Sequence, residues 1–255
     1  MPFAAGIYYS YYDGNGKQGR MPVVLLHGAG GNHLYWPSEI RRLQGYPVYA
    51  LDLPGHGRSE GPGHQSVGDY ATSVFNWMDA AGLHQVVLVG HSMGGAIALS
   101  MALRYPDRVA ALILLGSGAR LRVAPAILDS AASPTTFHNA IAVVINWAFS
   151  PQTPAALTAL AEKRMAETRQ SVFYADFLAC DAFDETTRLQ EIHLPALVIT
   201  GMDDRMTPLR YAQFLVDHIP GSELKLVPNA GHMVMLEQPR LVAELVHNFL
   251  SRTFD

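Results

Sequence analysis

The sequence predicts an α/β fold, a mainly parallel sheet with helices on both faces, and three observations carry that reading. Short apolar runs recur along the 255 residues, at Pro22–Leu26, Pro47–Leu51, Val86–Val89, Val109–Leu115, Ala196–Thr200 and Leu224–Val227. They are continuous rather than alternating, as strands covered on both faces must be. Segments with helical spacing lie between them, and such alternation places successive strands parallel. The stretch from about 120 to 190 breaks the rhythm: it holds no convincing buried strand, is helical in composition, and is punctuated by Pro125, Pro134, Pro151 and Pro154. We expect it to be a helical insertion over the C-terminal ends of the strands, where open α/β sheets bind ligands. The core is then 1–119 together with 191–255, and the insertion, a cap or lid, is 120–190.

The elements follow in order. Ile7–Tyr12 is aromatic-rich and reads as an edge strand ended by Asp13-Gly14-Asn15-Gly16, with a hairpin return through Gln18–Met21. Tyr35–Leu43 suits a helix between the first two buried strands. Asp69–Ala81 suits another, with Tyr70, Val74, Trp77 and Met78 at helical spacing. Ala96–Tyr105 is expected to be helical until Pro106 ends it, and Arg240–Leu250 to form the last helix.

Composition narrows the function classes. The chain is 49% hydrophobic and 16% charged, ordinary for a soluble protein with a large core. A net charge of −4 without a basic run argues against a nucleic-acid partner. The single cysteine, Cys180, permits no internal disulfide and suits a reducing compartment. Met1–Ile7 lacks a basic n-region and a long apolar h-region. No apolar run reaches the roughly 18 residues of a spanning helix. A cytoplasmic protein without a membrane span is expected, and nothing in the sequence speaks to its oligomeric state.

Chemistry concentrates at Gly90-His91-Ser92-Met93-Gly94-Gly95, directly after the Val86–Val89 run and before the expected helix. Gly-X-Ser-X-Gly in that context is a strained strand-to-helix turn that lifts the serine hydroxyl above the sheet. Serine is a poor nucleophile near neutral pH and needs a base, an acid to orient the base, and donors for the oxyanion. The base is expected to be His232, in Asn229-Ala230-Gly231-His232-Met233 between the last strand and the last helix. The acid should end a strand between serine and histidine. Val109–Leu115 runs into Gly116-Ser117-Gly118 with no carboxylate, whereas Ala196–Thr200 runs into Gly201-Met202-Asp203-Asp204 with two. Asp204 is preferred, with Asp203 as a turn or capping residue. The order Ser92, Asp204, His232 is one this constellation uses. Oxyanion donors are expected from the backbone N–H of Met93, at a helix N-terminus, and of Ala29 in the turn His27–Gly31. His27 itself reads as support for that turn.

With these residues the chain resembles the α/β-hydrolase superfamily, as a serine-nucleophile, carboxylesterase-like member with a helical cap. The matching stretches are His27-Gly28-Ala29-Gly30, Asp52-Leu53-Pro54-Gly55-His56-Gly57-Arg58-Ser59, Gly90–Gly95, Gly201…Asp204…Pro208 and Gly231-His232, which span nearly the whole chain. The resemblance implies a mostly parallel eight-stranded sheet. It supports Asp204, since the family acid usually stands four residues before that proline, and it makes Asp52–Ser59 a structural turn.

Fold does not fix substrate. A serine nucleophile disfavours the dehalogenase and epoxide-hydrolase chemistries of aspartate-nucleophile relatives. The leading expectation is hydrolysis of small to medium apolar carboxylic esters through an acyl-enzyme, with no metal and no cofactor, the histidines being scattered without ligand spacing. Expected pocket residues are Trp36, Trp147, Phe173, Phe177 and Met233. Two alternatives stand beside it. One is C–C bond hydrolysis of a ring-cleavage product, or enol-lactone hydrolysis. C–C hydrolases often place tryptophan after the histidine, where Met233 stands here, and their substrates need cations for carboxylates, such as Arg120, Arg122, Arg164, Arg169 and Arg205. The other is a non-catalytic small-molecule receptor, against which a complete triad argues.

Overall fold

The computed structural model describes residues 2–15 and 20–254. Its eight strands form one sheet in the order β1-β2-β4-β3-β5-β6-β7-β8: β1 Phe3–Ala4, β2 Ile7–Tyr12, β3 Val23–Leu26, β4 Val48–Leu51, β5 Val86–His91, β6 Val109–Leu115, β7 Ala196–Gly201 and β8 Glu223–Val227. Among the described residues, only the strand pairs β1–β2 and β2–β4 are antiparallel. From β4 to β8 every neighbouring pair is parallel.

The apolar runs are continuous because both faces are covered, and alternate residues go to different cores. Val23 and Leu25, Val87 and Val89, Leu197 and Ile199 join one buried cluster; Val24 and Leu26, Val86 and Leu88, Ala196 and Val198 join the other. The first cluster also takes Ile40 from α1 (Ser38–Arg41), Val234 and Met235 from α9 (Val234–Glu237), and Val242, Val246, Phe249 and Leu250 from α10 (Pro239–Phe254). The second takes Tyr70, Val74, Trp77 and Met78 from α2 (Val67–Ala80), the apolar residues of α3 (Met93–Arg104), and Ala212 and Leu215 from α8 (Leu209–His218). At roughly 25 cal/mol per Å2 of apolar area, such two-sided burial is the main favourable term holding the sheet.

Between β6 and β7 lie four α-helices, α4 Pro125–Ala131, α5 Phe137–Ala148, α6 Ala155–Met165 and α7 Gln170–Ala182, followed by a 3-10 turn at Leu189–Glu191. A single β-bridge, Arg120 to Asp184, joins the two ends of this insertion. No described helix is long and apolar enough to cross a membrane.

Three local expectations are corrected. Ile7–Tyr12 is not the edge: β1 returns onto it through Ala5-Gly6, both at positive φ (47° and 75°). Of the hairpin return expected at Gln18–Met21, Gln18 and Gly19 lie outside the described residues, and Arg20–Met21 form no strand. The Tyr35–Leu43 helix is broken into a 3-10 turn at His33–Tyr35 and the single turn α1. Pro37 explains this, because it lacks an N–H to donate and holds Trp36 extended at φ −89°, ψ 116°. In addition, α8 fills the β7–β8 connection, where the sequence reading placed no helix.

Candidate active site

Ser92 occupies the break between β5 and α3 at φ 52°, ψ −116°, a conformation an L-residue adopts only under constraint. The constraint is visible on every side. The Ser92 N–H donates to the Leu115 carbonyl at 2.9 Å, and the Ser117 hydroxyl donates to the Ser92 carbonyl at 2.9 Å. A Cβ on Gly90 would run into the Gly94 carbonyl, and one on Gly94 into the Leu26 carbonyl. The glycines are therefore demanded by close backbone approach beneath the turn.

His232 and Asp204 meet from the two loops that follow β8 and β7. The His232 Nδ1 lies 3.0 Å from Asp204 Oδ2 and 3.2 Å from Thr207 Oγ1. Asp204 Oδ1 accepts from the N–H groups of Met206 (2.9 Å) and Thr207 (2.8 Å), and Oδ2 also accepts from the Thr207 hydroxyl (2.8 Å). Burial pushes this carboxyl up, but His232 and the Thr207 donors outweigh it and hold it below the usual aspartate range. An ionised Asp204 can only accept, so Nδ1 carries the imidazole proton and Nε2 presents its lone pair. Asp203 does something else: its Oδ2 accepts from the Ser150 hydroxyl at 2.6 Å, tying the end of α5 to the end of β7.

Two further residues hold the histidine loop. The His91 Nε2 donates to the His232 carbonyl at 3.0 Å. Burial, followed by the proximity of His232, pulls the His91 pKa down to about 3, so it serves as a neutral donor. Glu237 accepts from the Gly231 N–H and the Ser150 N–H, both at 2.8 Å, and so joins the loop to the insertion. Burial raises its carboxyl pKa despite those donors.

The turn after β3 is fixed from below. The Leu53 N–H donates to His27 Nε2 at 3.0 Å, which leaves the proton on Nδ1 to donate to the Gly28 carbonyl at 2.8 Å. Burial, then nearby His56, lowers the His27 pKa to about 4, so the ring is neutral at pH 7. The Gly31 N–H donates to the same Gly28 carbonyl at 3.1 Å. Across a trans peptide the C=O and N–H point in opposite directions. Holding the Gly28 carbonyl therefore also fixes the direction of the Ala29 N–H.

Ser92, His232, Gly28 and Ala29 all line one cavity, which encloses about 910 Å3 including its open mouth. Its other walls are mostly apolar and come largely from the insertion, among them Ile127, Val144, Trp147, Met165 and Phe177. Met93 heads α3 with its side chain fully buried in the second core cluster, and it is not among the residues that line the cavity. Of the expected pocket residues, Trp147, Phe177 and Met233 line the cavity, whereas Trp36 and Phe173 do not. The 3-10 turn sends Tyr35 to the cavity and leaves Trp36 fully buried in the core cluster. Phe173 is fully buried between Phe137 and Phe177, with ring centroids 5.1 and 4.7 Å away. Sequence reasoning missed Glu237, Thr207 and the supporting role of His91. It also missed Asp176, a lone carboxylate among Val172, Phe173, Ala175 and Phe177 on α7, and that break in an apolar face was the available signal.

Comparison with known proteins agrees with this geometry. The family model described as alpha/beta hydrolase fold matches residues 21–239. The chain is 30% identical to a 2-hydroxymuconate semialdehyde hydrolase of Pseudomonas putida, over 90% of this chain and 87% of that protein. Among solved structures it is similar to a thermophilic esterase, with TM-score 0.81 and 32% identity over 97% of this chain and 98% of the other. It also resembles Est816, described as an N-acyl homoserine lactone degrading enzyme, with TM-score 0.83 and 29% identity over 95% and 96% of the two chains. Eight strands in this order, with the serine elbow and the matched span, make the chain a member of the α/β-hydrolase fold family.

Proposed function

We propose that the protein is a serine hydrolase cleaving carboxylic esters of small to medium apolar substrates, with the insertion acting as a cap over the site. The observation that carries this is a strained serine sharing an apolar cavity with a histidine whose Nδ1 is held by a buried carboxylate. In this reading Ser92 Oγ attacks the ester carbonyl carbon while His232 Nε2 takes its proton, and Asp204 stabilises the imidazolium. The oxyanion is held by the N–H groups of Met93 and Ala29, the first favoured by the α3 N-terminus. His232 returns the proton to the leaving alcohol. Water, deprotonated by the same histidine, then cleaves the acyl-enzyme. The chemistry asks for no metal or cofactor.

A second reading is favoured by one observation: among the described residues, Arg122 and Arg205 line the cavity and no carboxylate does. They would suit an anionic ring-cleavage product or an enol-lactone, cleaved by the same residues. The resemblance to a semialdehyde hydrolase and to a lactone-degrading enzyme supports keeping it.

The test is a substrate panel run on wild type and Ser92→Ala: p-nitrophenyl esters of graded chain length, a lactone and a ring-cleavage dienoate. Ester turnover that falls by about 10⁴-fold or more in Ser92→Ala is expected. Full activity in that variant refutes the nucleophile, and strong preference for the dienoate refutes the esterase reading.

A further inference from the structure

The turn that carries Ala29 is held from above as well as from below. At Gly30, the next residue, both backbone polar groups go to the insertion. Its N–H donates to Asp176 Oδ2 at 2.8 Å, and its carbonyl accepts from the Thr168 hydroxyl at 2.9 Å. Gly30 stands at φ 65°, and a Cβ there would come within 2.9 Å of the Phe173 ring, so α7 packs directly on the turn. Asp176 is fully buried, yet it has three donors. Besides Gly30 they are the Tyr70 hydroxyl, 2.6 Å from Oδ1, and His56 Nε2, 2.8 Å from Oδ2. A buried carboxylate is tolerated only with such partners, and losing one leaves the others unsatisfied. The Asp176 carboxylate thus lies on the insertion and its three donors on the core, while Thr168 donates in the opposite direction, from the insertion to the core. The ester-hydrolysis mechanism above uses none of Asp176, His56, Tyr70 and Thr168.

We propose that Asp176 is a positioning residue for acyl transfer. From the cap, it holds the Ala29–Gly30 peptide while Thr168 holds the Gly30–Gly31 peptide, whose N–H in turn braces the Gly28 carbonyl, so that the contacts from below are completed and the Ala29 N–H is fully aligned only when the cap is seated. The proposal rests on the serine-hydrolase reading and assigns a specific role to the cap within it. An oxyanion donor that loses its alignment affects the transition state far more than the ground state. The signature is therefore a fall in kcat with KM nearly unchanged and a matching loss of affinity for a tetrahedral serine adduct; a smaller folded fraction lowers apparent kcat but leaves that affinity unchanged.

The experiment compares wild type, Asp176→Asn, Thr168→Val and Met78→Ala. Met78 is buried on α2 outside the cavity lining and serves as a destabilised control. For each we would measure Tm, then kcat and KM for p-nitrophenyl butyrate well below Tm, and Ki for butylboronic acid, whose serine adduct is tetrahedral. Asp176→Asn should lower kcat by about tenfold or more, with Ki for the boronate rising in parallel. KM should move by less than about threefold. Thr168→Val should shift kcat and Ki in the same direction by a few-fold, and it carries the test if Asp176→Asn does not fold. The proposal is overturned if the folded variants keep the kcat and Ki of Met78→Ala, or if only KM changes. A wild type that hydrolyses no ester and binds no boronate instead overturns the serine-hydrolase reading itself.

Discussion

The floor of the cavity comes from strand ends of the sheet, and its upper walls come from the insertion between β6 and β7. Different forces fix the two halves. In the floor, backbone sets the residue: the Ser92 elbow tolerates no Cβ at Gly90 or Gly94, and Asp204 is oriented by two N–H groups two and three residues further on. In the walls, packing sets the residue, and many apolar side chains would fill the same volume. The floor can therefore specify a reaction tightly while the walls remain free to change the substrate. The buried polar contacts that cross between them, at Asp176, Glu237 and Asp203, are few and specific.

The comparison can be broken most sharply in the floor. Asp204→Asn should lower kcat by about 10⁴-fold, because an amide can present its NH2 to Nδ1 and favour the wrong tautomer. Asp203→Asn should cost far less, since its partner is Ser150. Side-by-side kcat values decide, and a crippling Asp203→Asn would reverse the assignment of the acid. In the walls, Phe173 and Phe177 are one helical turn apart but differ in role. Phe173→Ala should destabilise by about 3–5 kcal/mol in denaturant titrations, as expected for a filled core position. Phe177→Ala should change chain-length preference across an ester series more than Phe173→Ala does. Equal effects of the two on preference would erase the distinction between wall and core.

The smallest effect belongs to the contact between the halves. Burial lowers the His56 pKa, but Asp176, the Pro54 carbonyl and Asp52 overcome it, so the folded value stands above the ordinary 6.5. A raised histidine pKa contributes stability that is fully present below the unfolded pKa and is lost as pH rises through the folded one. The Tm advantage of wild type over His56→Gln should narrow as pH rises from about 6 to about 9. A gap that widens with pH would mean that the buried pair is held as neutral groups.

What was legible in the sequence follows the same division. Each inner strand could be read from its apolar run, because parallel strands bury both faces. Ser92 and His232 could be named as candidates because a nucleophile turn needs glycines and a base needs a loop at the right strand end, and the structure lines one cavity with both. Strand position alone does not choose between Asp203 and Asp204; the place four residues before Pro208, which the resemblance supplies, favours Asp204, and in the structure the two side chains take different partners. Trp36 was misplaced for a similar reason: Pro37 breaks the expected helix, so the facing of Tyr35 and Trp36 could not be counted from a helical period. Asp176 and Glu237 were missed because their partners lie 146 and 87 residues away in the chain, at Gly30 and Ser150. No local pattern marks such a contact, although a carboxylate inside the apolar stripe of α7 was a visible anomaly.

The central claim is that Ser92 is acylated during turnover. Rapid acid quench of wild type with a p-nitrophenyl ester, followed by peptide mass spectrometry, tests it directly. The account predicts an acyl adduct on the peptide containing Ser92, absent from Ser92→Ala and accumulating in step with a burst of p-nitrophenol. Sustained turnover with the adduct on another residue, or no adduct in a burst that Ser92→Ala retains, would contradict it.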